Sequence, residues 1–423
     1  VKYKLIYLVV DGVADSLADH VTTLEAAVKP GLDWVASRGV CGLLYPVERG
    51  VAPESDEAVI SLLGYNPHEV YPGRGVLEAL GAGLELKWGY EVAFRANFAT
   101  VDPATRRIID RRAGRRLTSE EARELARAVD NMELGEYEGY ARVVATVSHR
   151  AVVVIGSRRY RLSPLVSNND PAYARRGLVS VAVENPSPFV EEIKPLAPTR
   201  EAEITARLAD IFFEKSLRVL SDHPLNAERA RRGLLPANAL LLRDAGGEPP
   251  RAEPLPAKYQ CKFAVLAEMP VEVGIGRAFG ADTVELGLPT GDPRVDYDDR
   301  LRATLRAVRS YDVVYVHLKG PDEPGHDGDF ESKKRRVEEI DKYYVQPLVE
   351  EVRDKYALLV TADHATPPSR RAHTSDPVPV ALYTPEVKPD SAARFTEREC
   401  ARGALGVVEH GWLLLPRVLR EYL

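Results

Sequence analysis

Cysteine is nearly absent from this chain. Its three copies, Cys41, Cys261 and Cys400, are scattered through 423 residues with no CxxC pair and no finger-like spacing. A disulfide scaffold and a thiolate zinc module are therefore excluded. So sparse and odd a count fits a reducing compartment, with the thiols packed as small hydrophobes. Methionine is scarcer still, at two. No apolar run approaches the length of a membrane span, and Leu5–Val10 near the start is too short for a span or a secretory signal. An excess of basic charge is also missing: the formal net charge is -6. That argues against a general nucleic-acid binder, which needs a basic face. There is no internal repeat and no low-complexity tract. The expectation is a soluble cytoplasmic protein with neither nucleic acid nor membrane as partner.

What is present is ordinary for a globular chain, 45% hydrophobic and 28% charged, and long enough for two domains. Leu5–Val10 reads as a buried strand ended by Asp11-Gly12. Thr22 to Arg38 reads as an amphipathic helix interrupted at 29–31. Pro53 and Ser55 open a helix that Gly64 closes. From about residue 90 the pattern changes to hairpin-like alternation, an Arg-rich stretch and a long helix at 201–220. The Pro-rich segment 244–256 is a linker. Beyond it, strands and helices alternate again, with strands at 262–268, 283–286, 312–318, 357–362 and 379–383. A long charged helix is predicted over 331–355. The class predicted is α/β, a doubly wound domain formed by 1–89 and 250–423, carrying a smaller inserted α+β domain over 90–249.

Four strand-end loops carry the chemistry. In an open α/β sheet, ligands bind beyond the carboxyl ends of the strands. Asp11 follows the first strand. Asp322 and His326 stand four apart in a Gly/Pro-rich loop after strand 312–318. Asp363 and His364 follow strand 357–362, and His373 lies nine residues beyond His364. Ser55 opens a helix, where free N–H groups and the helix dipole stabilise an anion. Each residue alone has a plain structural reading: a turn, a helix cap, a hydrogen-bonded pair. Together, carboxylates and imidazoles are enough for two metal ions with one hydroxyl between them. Two cations about 3.5–4 Å apart activate a nucleophile and clamp a transferring phosphoryl group.

The segments DGVAD, ESDEAVISLLGYNP, YPGRGVLEALGAG, GPDEPGHDGD, TADHATPP and AHTSDPVPV, in this order, resemble the cofactor-independent phosphoglycerate mutases of the archaeal type, within the alkaline phosphatase superfamily. RRAGR, HPLNAERARRG and PANALLLRDAG in the middle are similar too. The resemblance implies interconversion of 3-phosphoglycerate and 2-phosphoglycerate in glycolysis and gluconeogenesis, without bisphosphoglycerate. It implies one metal site of Asp322, His326 and His373, and another of Asp11, Ser55, Asp363 and His364. Mn²⁺ is the expected ion, and the mixed donors also admit Co, Zn or Fe. Ser55 would become phosphoserine, and Lys258 would neutralise the transferring phosphoryl group. Arg243, Arg150, Arg115 and Asp170 would hold the small phosphorylated substrate. The chain departs from the family pattern at Val59, where many members have His, at Pro321 and over Ser167–Asp170. A phosphatase, phosphopentomutase or phosphonate hydrolase of the same superfamily, or a non-catalytic metal-binding paralogue, stays open on sequence alone.

Overall fold

The computed structural model describes every residue from Val1 to Leu423. The chain divides into two compact units, Val1–Val70 with Ala252–Leu423, and Tyr71–Arg251. The first junction falls at Tyr71, not at residue 90. Helix Arg74–Gly81 is the reason: it packs onto the strands of the second unit. Val76 and Ala79 share an apolar cluster with Ala93, Val152 and Val154. Gly75 lies so close that a Cβ there would sit 2.1 Å from the Ala93 carbonyl oxygen.

The first unit is built on an eight-stranded sheet. Its order is Asp282–Glu285, Phe263–Ala267, Val313–Leu318, Leu5–Val10, Ala357–Thr361, Val378–Tyr383, Val40–Leu44, Gly406–Val408. The first five run parallel, and Val378–Tyr383 is antiparallel to both its neighbours. The class is thus α/β, with a mixed sheet. Every residue of the three central strands is buried, as expected of parallel strands covered on both faces. Burying each Leu, Ile or Val there contributes roughly 1.5–3 kcal/mol. Two strands escaped the sequence pattern, Val40–Leu44 and Gly406–Val408, because both are short and glycine interrupts their apolar run. The glycine has a purpose at Gly42, where a Cβ would come within 2.5 Å of the Gly406 carbonyl oxygen on the paired strand.

Strand register brings the site together. Val10 stands opposite Leu318, and Val9 opposite Thr361. The residues that follow, Asp11, Lys319 and Asp363, therefore leave the sheet at one edge. Helix Ser55–Leu62 has Glu54 as its N-cap residue, so Ser55 is the first helical residue and not the cap. The segment 331–355, predicted as one helix, runs as a continuous helix from Phe330 to Val352 with a π-turn at Asp341–Val345. Asp341 is the first residue of that turn. Its carboxylate accepts hydrogen bonds from the Gly31 and Leu32 N–H groups at 3.1 and 2.7 Å, capping helix Pro30–Arg38 from outside. Such caps are worth about 1 kcal/mol.

The second unit has a sheet ordered Ala239–Gly246, Glu91–Val101, Arg150–Ser157, Gly139–Ala145, Met132–Glu133, with Ile108–Asp110 beside Glu91–Val101. Helices Ser119–Val129 and Arg200–Ser221 bury their apolar faces in its main core. A separate hairpin pairs Tyr173–Arg176 with Val179–Ala182. No helix in the chain is long and apolar enough to cross a membrane.

Candidate metal centre

Two turns set the geometry at the sheet edge. After Asp11 the backbone enters a positive φ of 63° at Gly12, and a Cβ there would lie 2.8 Å from the Cβ of Asp322. Only glycine meets both demands. Its N–H donates to Asp363 Oδ1 at 2.9 Å, which orients that carboxylate. After strand Val313–Leu318, residues Asp322–Asp327 form a single helical turn where sequence predicted a loop. The four-residue spacing therefore puts Asp322 and His326 on one helix face.

Asp11, Asp363 and His364 are all buried. His364 Nε2 lies 3.2 Å from Asp11 Oδ1 and 3.3 Å from Asp363 Oδ2. These three atoms are buried and make no hydrogen bond. Bare, inward-facing donors of that kind normally hold an ion, since an unmatched buried polar atom is costly. Two carboxylate oxygens and an imidazole nitrogen within 4.8 Å of one another suit a divalent transition metal. A second cluster adjoins the first. His326 Nε2 and His373 Nε2 each lie 3.3 Å from Asp322 Oδ1. The His364 and His373 rings stack with centroids 3.6 Å apart. Ligand atoms of Asp322, His364 and His373 also fall within 4.8 Å of one another, so His364 lies close to both clusters. His326 is exposed, but its ring is turned toward Asp322. The His373 Nδ1–H donates to the Pro53 carbonyl oxygen at 2.8 Å. That bond ties the segment leading into Ser55 to the second cluster.

The electrostatics follow from burial and proximity. Burial opposes the charge of Asp11, but Lys319, His364 and His317 outweigh it and hold its carboxyl well below the usual range. Asp363 goes the other way, raised by burial and then by Asp11. Burial also opposes charge on His364, yet Asp363 and Asp11 carry the ring up to about 10. Burial raises the Asp322 carboxyl, but its hydrogen bond with His373 and the charges of His364 and His373 together bring it below its ordinary value.

Sequence reasoning missed several supports. Lys319 Nζ lies 3.0 Å from Asp11 Oδ2 and 2.7 Å from Glu272 Oε1. His317 Nε2 lies 3.5 Å from Asp363 Oδ2. Lys333, fully buried, donates to the Ala14 carbonyl at 3.1 Å, Asp15 Oδ1 at 2.6 Å and the Thr366 carbonyl at 3.0 Å. Lys319 could have been found by the strand-end argument that found Asp11. Glu272 and Lys333 sit within helices and carry no such signal. The Nζ of Lys258 lies over the rings of Tyr65 and Tyr259, at 5.2 and 5.6 Å. Gly64, near the far end of the Ser55 helix, is its neighbour.

In the second unit the candidate substrate residues partly converge. Arg243 is buried, with its guanidinium 3.9 Å above the Tyr173 ring and its Nε without a partner. Asp170 accepts from Arg111 Nε at 3.1 Å and from the Ala172 N–H at 3.0 Å, so its carboxylate is already engaged. Arg115 and Arg150 are exposed. Burial depresses His149 to about 4, reinforced by Arg150, Arg115, Arg243 and Arg95. Burial and the nearby Arg74 and Arg243 bring Arg95 down to about 10. This concentration of guanidinium groups favours an anion.

A family model described as 2,3-bisphosphoglycerate-independent phosphoglycerate mutase matches residues 36–226. An Aeropyrum pernix protein of that name is 48% identical, covering 98% of this chain and 99% of its own length. An Archaeoglobus fulgidus protein named as such a mutase is 40% identical, over 95% of this chain and 94% of its own. Among solved structures, a cofactor-independent phosphoglycerate mutase from Thermoplasma acidophilum aligns with a TM-score of 0.64 at 31% identity, covering 97% of this chain and 98% of that one. A protein from Pyrococcus horikoshii aligns at 0.77 with 26% identity, over 99% and 97% of the two chains.

Proposed function

The chain belongs to the 2,3-bisphosphoglycerate-independent phosphoglycerate mutase family, and on that premise we propose that it interconverts 3-phosphoglycerate and 2-phosphoglycerate through a phosphoserine at Ser55. The observation that carries the site assignment is the set of bare donors, Asp11 Oδ1, Asp363 Oδ2 and His364 Nε2, beside the Asp322, His326 and His373 cluster. Asp11, Asp363, His364 and Ser55 would hold one divalent ion, and Asp322, His326 and His373 a second, with Mn²⁺ the favoured metal. Bound there, such ions polarise phosphoryl oxygens and lower the pKa of a coordinated hydroxyl.

The chain's own groups do the rest. Ser55 Oγ attacks phosphorus in line. The Oγ–P bond forms as the bond from phosphorus to the glycerate oxygen breaks, and the serine proton ends on glycerate. The dipole at the start of helix Ser55–Leu62, whose N-cap residue Glu54 makes no side-chain cap, favours the negative charge that develops there. Lys319 offsets the charge of Asp11 and Glu272. The glycerate turns and takes the phosphoryl group back on its other hydroxyl. Keeping water out at the phosphoserine stage separates a mutase from a phosphatase.

The test uses purified protein with Mn²⁺ and 3-phosphoglycerate, without 2,3-bisphosphoglycerate. Expected outcomes are 2-phosphoglycerate formation, little phosphate release, and a phosphorylated Ser55 peptide by mass spectrometry. A Ser55→Ala variant that still folds and binds Mn²⁺ should lose isomerisation. Phosphate release with no isomerisation would overturn the mutase reading, and substantial turnover by Ser55→Ala would overturn the covalent route.

A further inference from the structure

Thr366 is fully buried among the carboxylates and imidazoles, though it is neither. Its hydroxyl oxygen lies 2.7 Å from Asp322 Oδ1 and 2.9 Å from His364 Nδ1. A hydroxyl has one proton. A carboxylate oxygen only accepts, so that proton goes to Asp322. Toward His364 the hydroxyl must then accept, which requires the ring to carry its proton on Nδ1. A neutral imidazole with its proton on Nδ1 keeps a lone pair on Nε2, the atom that faces Asp11 and Asp363. One hydroxyl thus fixes a donor of the first cluster and a carboxylate of the second. His373 reaches the same tautomer separately, by donating from Nδ1 to the Pro53 carbonyl.

We infer that Thr366 is a positioning residue that couples the two clusters. It sets the His364 tautomer and the Asp322 orientation together, so an ion at either cluster favours the donor arrangement the other needs. The inference rests on the two-ion reading above. It is separable from plain packing, because Thr366 also has structural contacts. Its backbone carbonyl accepts from Lys333, and its methyl side packs where a Cβ on Gly325 would be 2.9 Å from Cγ2. Valine keeps the shape and loses the hydroxyl. Serine keeps the hydroxyl and loses the methyl group. A packing role therefore predicts that Thr366→Val is mild and Thr366→Ser is harmful. The coupling role predicts the reverse.

The experiment titrates MnCl₂ into metal-free wild type, Thr366→Val and Thr366→Ser by calorimetry, with circular-dichroism melts to establish folding. The wild type is expected to take two ions. Thr366→Val should bind both more weakly, by roughly 10–100-fold, the range seen when partners of metal ligands are removed. Thr366→Ser should stay within about threefold of wild type. Wild-type affinity at both sites in Thr366→Val, weakening of one site alone, or a larger loss in Thr366→Ser would each overturn the coupling. Fewer than two ions on the wild type would instead remove the two-ion reading beneath it. If Thr366→Val does not fold, nitrogen NMR of the Zn²⁺-loaded wild type decides. A His364 proton on Nδ1 supports the inference, and a proton on Nε2 overturns it.

Discussion

Lys333 gives the sharpest test of how the site is held. All three of its ammonium protons are used, on the Ala14 carbonyl, Asp15 Oδ1 and the Thr366 carbonyl. Ala14 and Thr366 lie in the two loops that carry Asp11 and Asp363–His364. Lys333→Met keeps most of the stem and removes the charge. Asp15 is 1% exposed, so it would become a buried carboxylate without a cation, although Thr23 still donates to its other oxygen. Breaking a buried pair on one side costs about 3–5 kcal/mol. Two buried carbonyls left without a donor add about 1 kcal/mol or more each, with incomplete additivity. A loss of about 4–6 kcal/mol follows, a large part of the roughly 5–15 kcal/mol by which domains are stable. The assay is guanidinium denaturation of the metal-free protein, followed by fluorescence of Trp34 and Trp412, which both lie in the first unit. Adding Asp15→Asn should recover about 1–3 kcal/mol in a double-mutant cycle. A single-variant loss below about 1 kcal/mol, or no coupling in the cycle, would refute the clamp.

Three other outcomes follow from the same geometry. Gly12→Ala should lose about 1–2 kcal/mol to left-handed backbone strain, and should weaken Mn²⁺ binding as the new Cβ displaces Asp322, 2.8 Å away; an unchanged melt and an unchanged Mn²⁺ titration would contradict this. Asp363→Asn keeps an acceptor for the Gly12 N–H but removes one of two neighbouring buried carboxylates. The metal-free variant should melt at or above the wild-type temperature while Mn²⁺ affinity falls by roughly 100-fold, and parallel losses of both would count against a metal-holding role. Glu397, lifted to about 7 mainly by burial, keeps a proton in the folded state that it has lost in the unfolded chain above about 4.5. Its contribution to stability therefore falls as pH rises through that window and levels off above about 7, by on the order of 3 kcal/mol. Glu397→Gln should gain that much on wild type between pH 5 and pH 8 in denaturation midpoints, and a pH-independent difference would refute the assignment.

The carboxylates of the candidate centre were legible because strand ends are. A buried apolar run such as Leu5–Val10 announces both a parallel strand and the residue that follows it, and Asp11, Asp322 and Asp363 all stand just beyond such runs. Asp322 and His326 were read four apart in a loop, and it is the short helix Asp322–Asp327 that puts them on one face. What sequence did not show depends on tertiary approach. Thr366 and Lys333 matter through atoms on loops distant in the chain, and nothing local distinguishes Lys333 from the other cations of helix Phe330–Ile340. Strand Val40–Leu44 was hidden by its glycine, whose value appears only when Gly406 is placed against it. Lys258 was suggested by a short motif alone, and helix Leu255–Tyr259 places its side chain beside Tyr65 and Tyr259.

A purely structural polar cluster closes on itself, because every buried donor and acceptor left over carries a cost. This one is closed on one side only. Asp11 gives Oδ2 to Lys319 and leaves Oδ1 bare. Asp363 gives Oδ1 to the Gly12 N–H and leaves Oδ2 bare. His364 gives Nδ1 to Thr366 and leaves Nε2 bare. His373 is held at Nδ1 by Pro53, with Nε2 turned to Asp322. The partners are of four different kinds: an ammonium, a backbone N–H, a hydroxyl and a backbone carbonyl. They come from separate segments of the chain. Thr366 also donates to the inner oxygen of Asp322, and His317 Nε2 lies 3.5 Å from Asp363 Oδ2. On Asp11, Asp363, His364 and His373, however, the four partners each engage the outer atom, an arrangement that packing alone does not require. It follows directly if the inner atoms are reserved for a cation, since ligands oriented from behind bind an ion without reorganising.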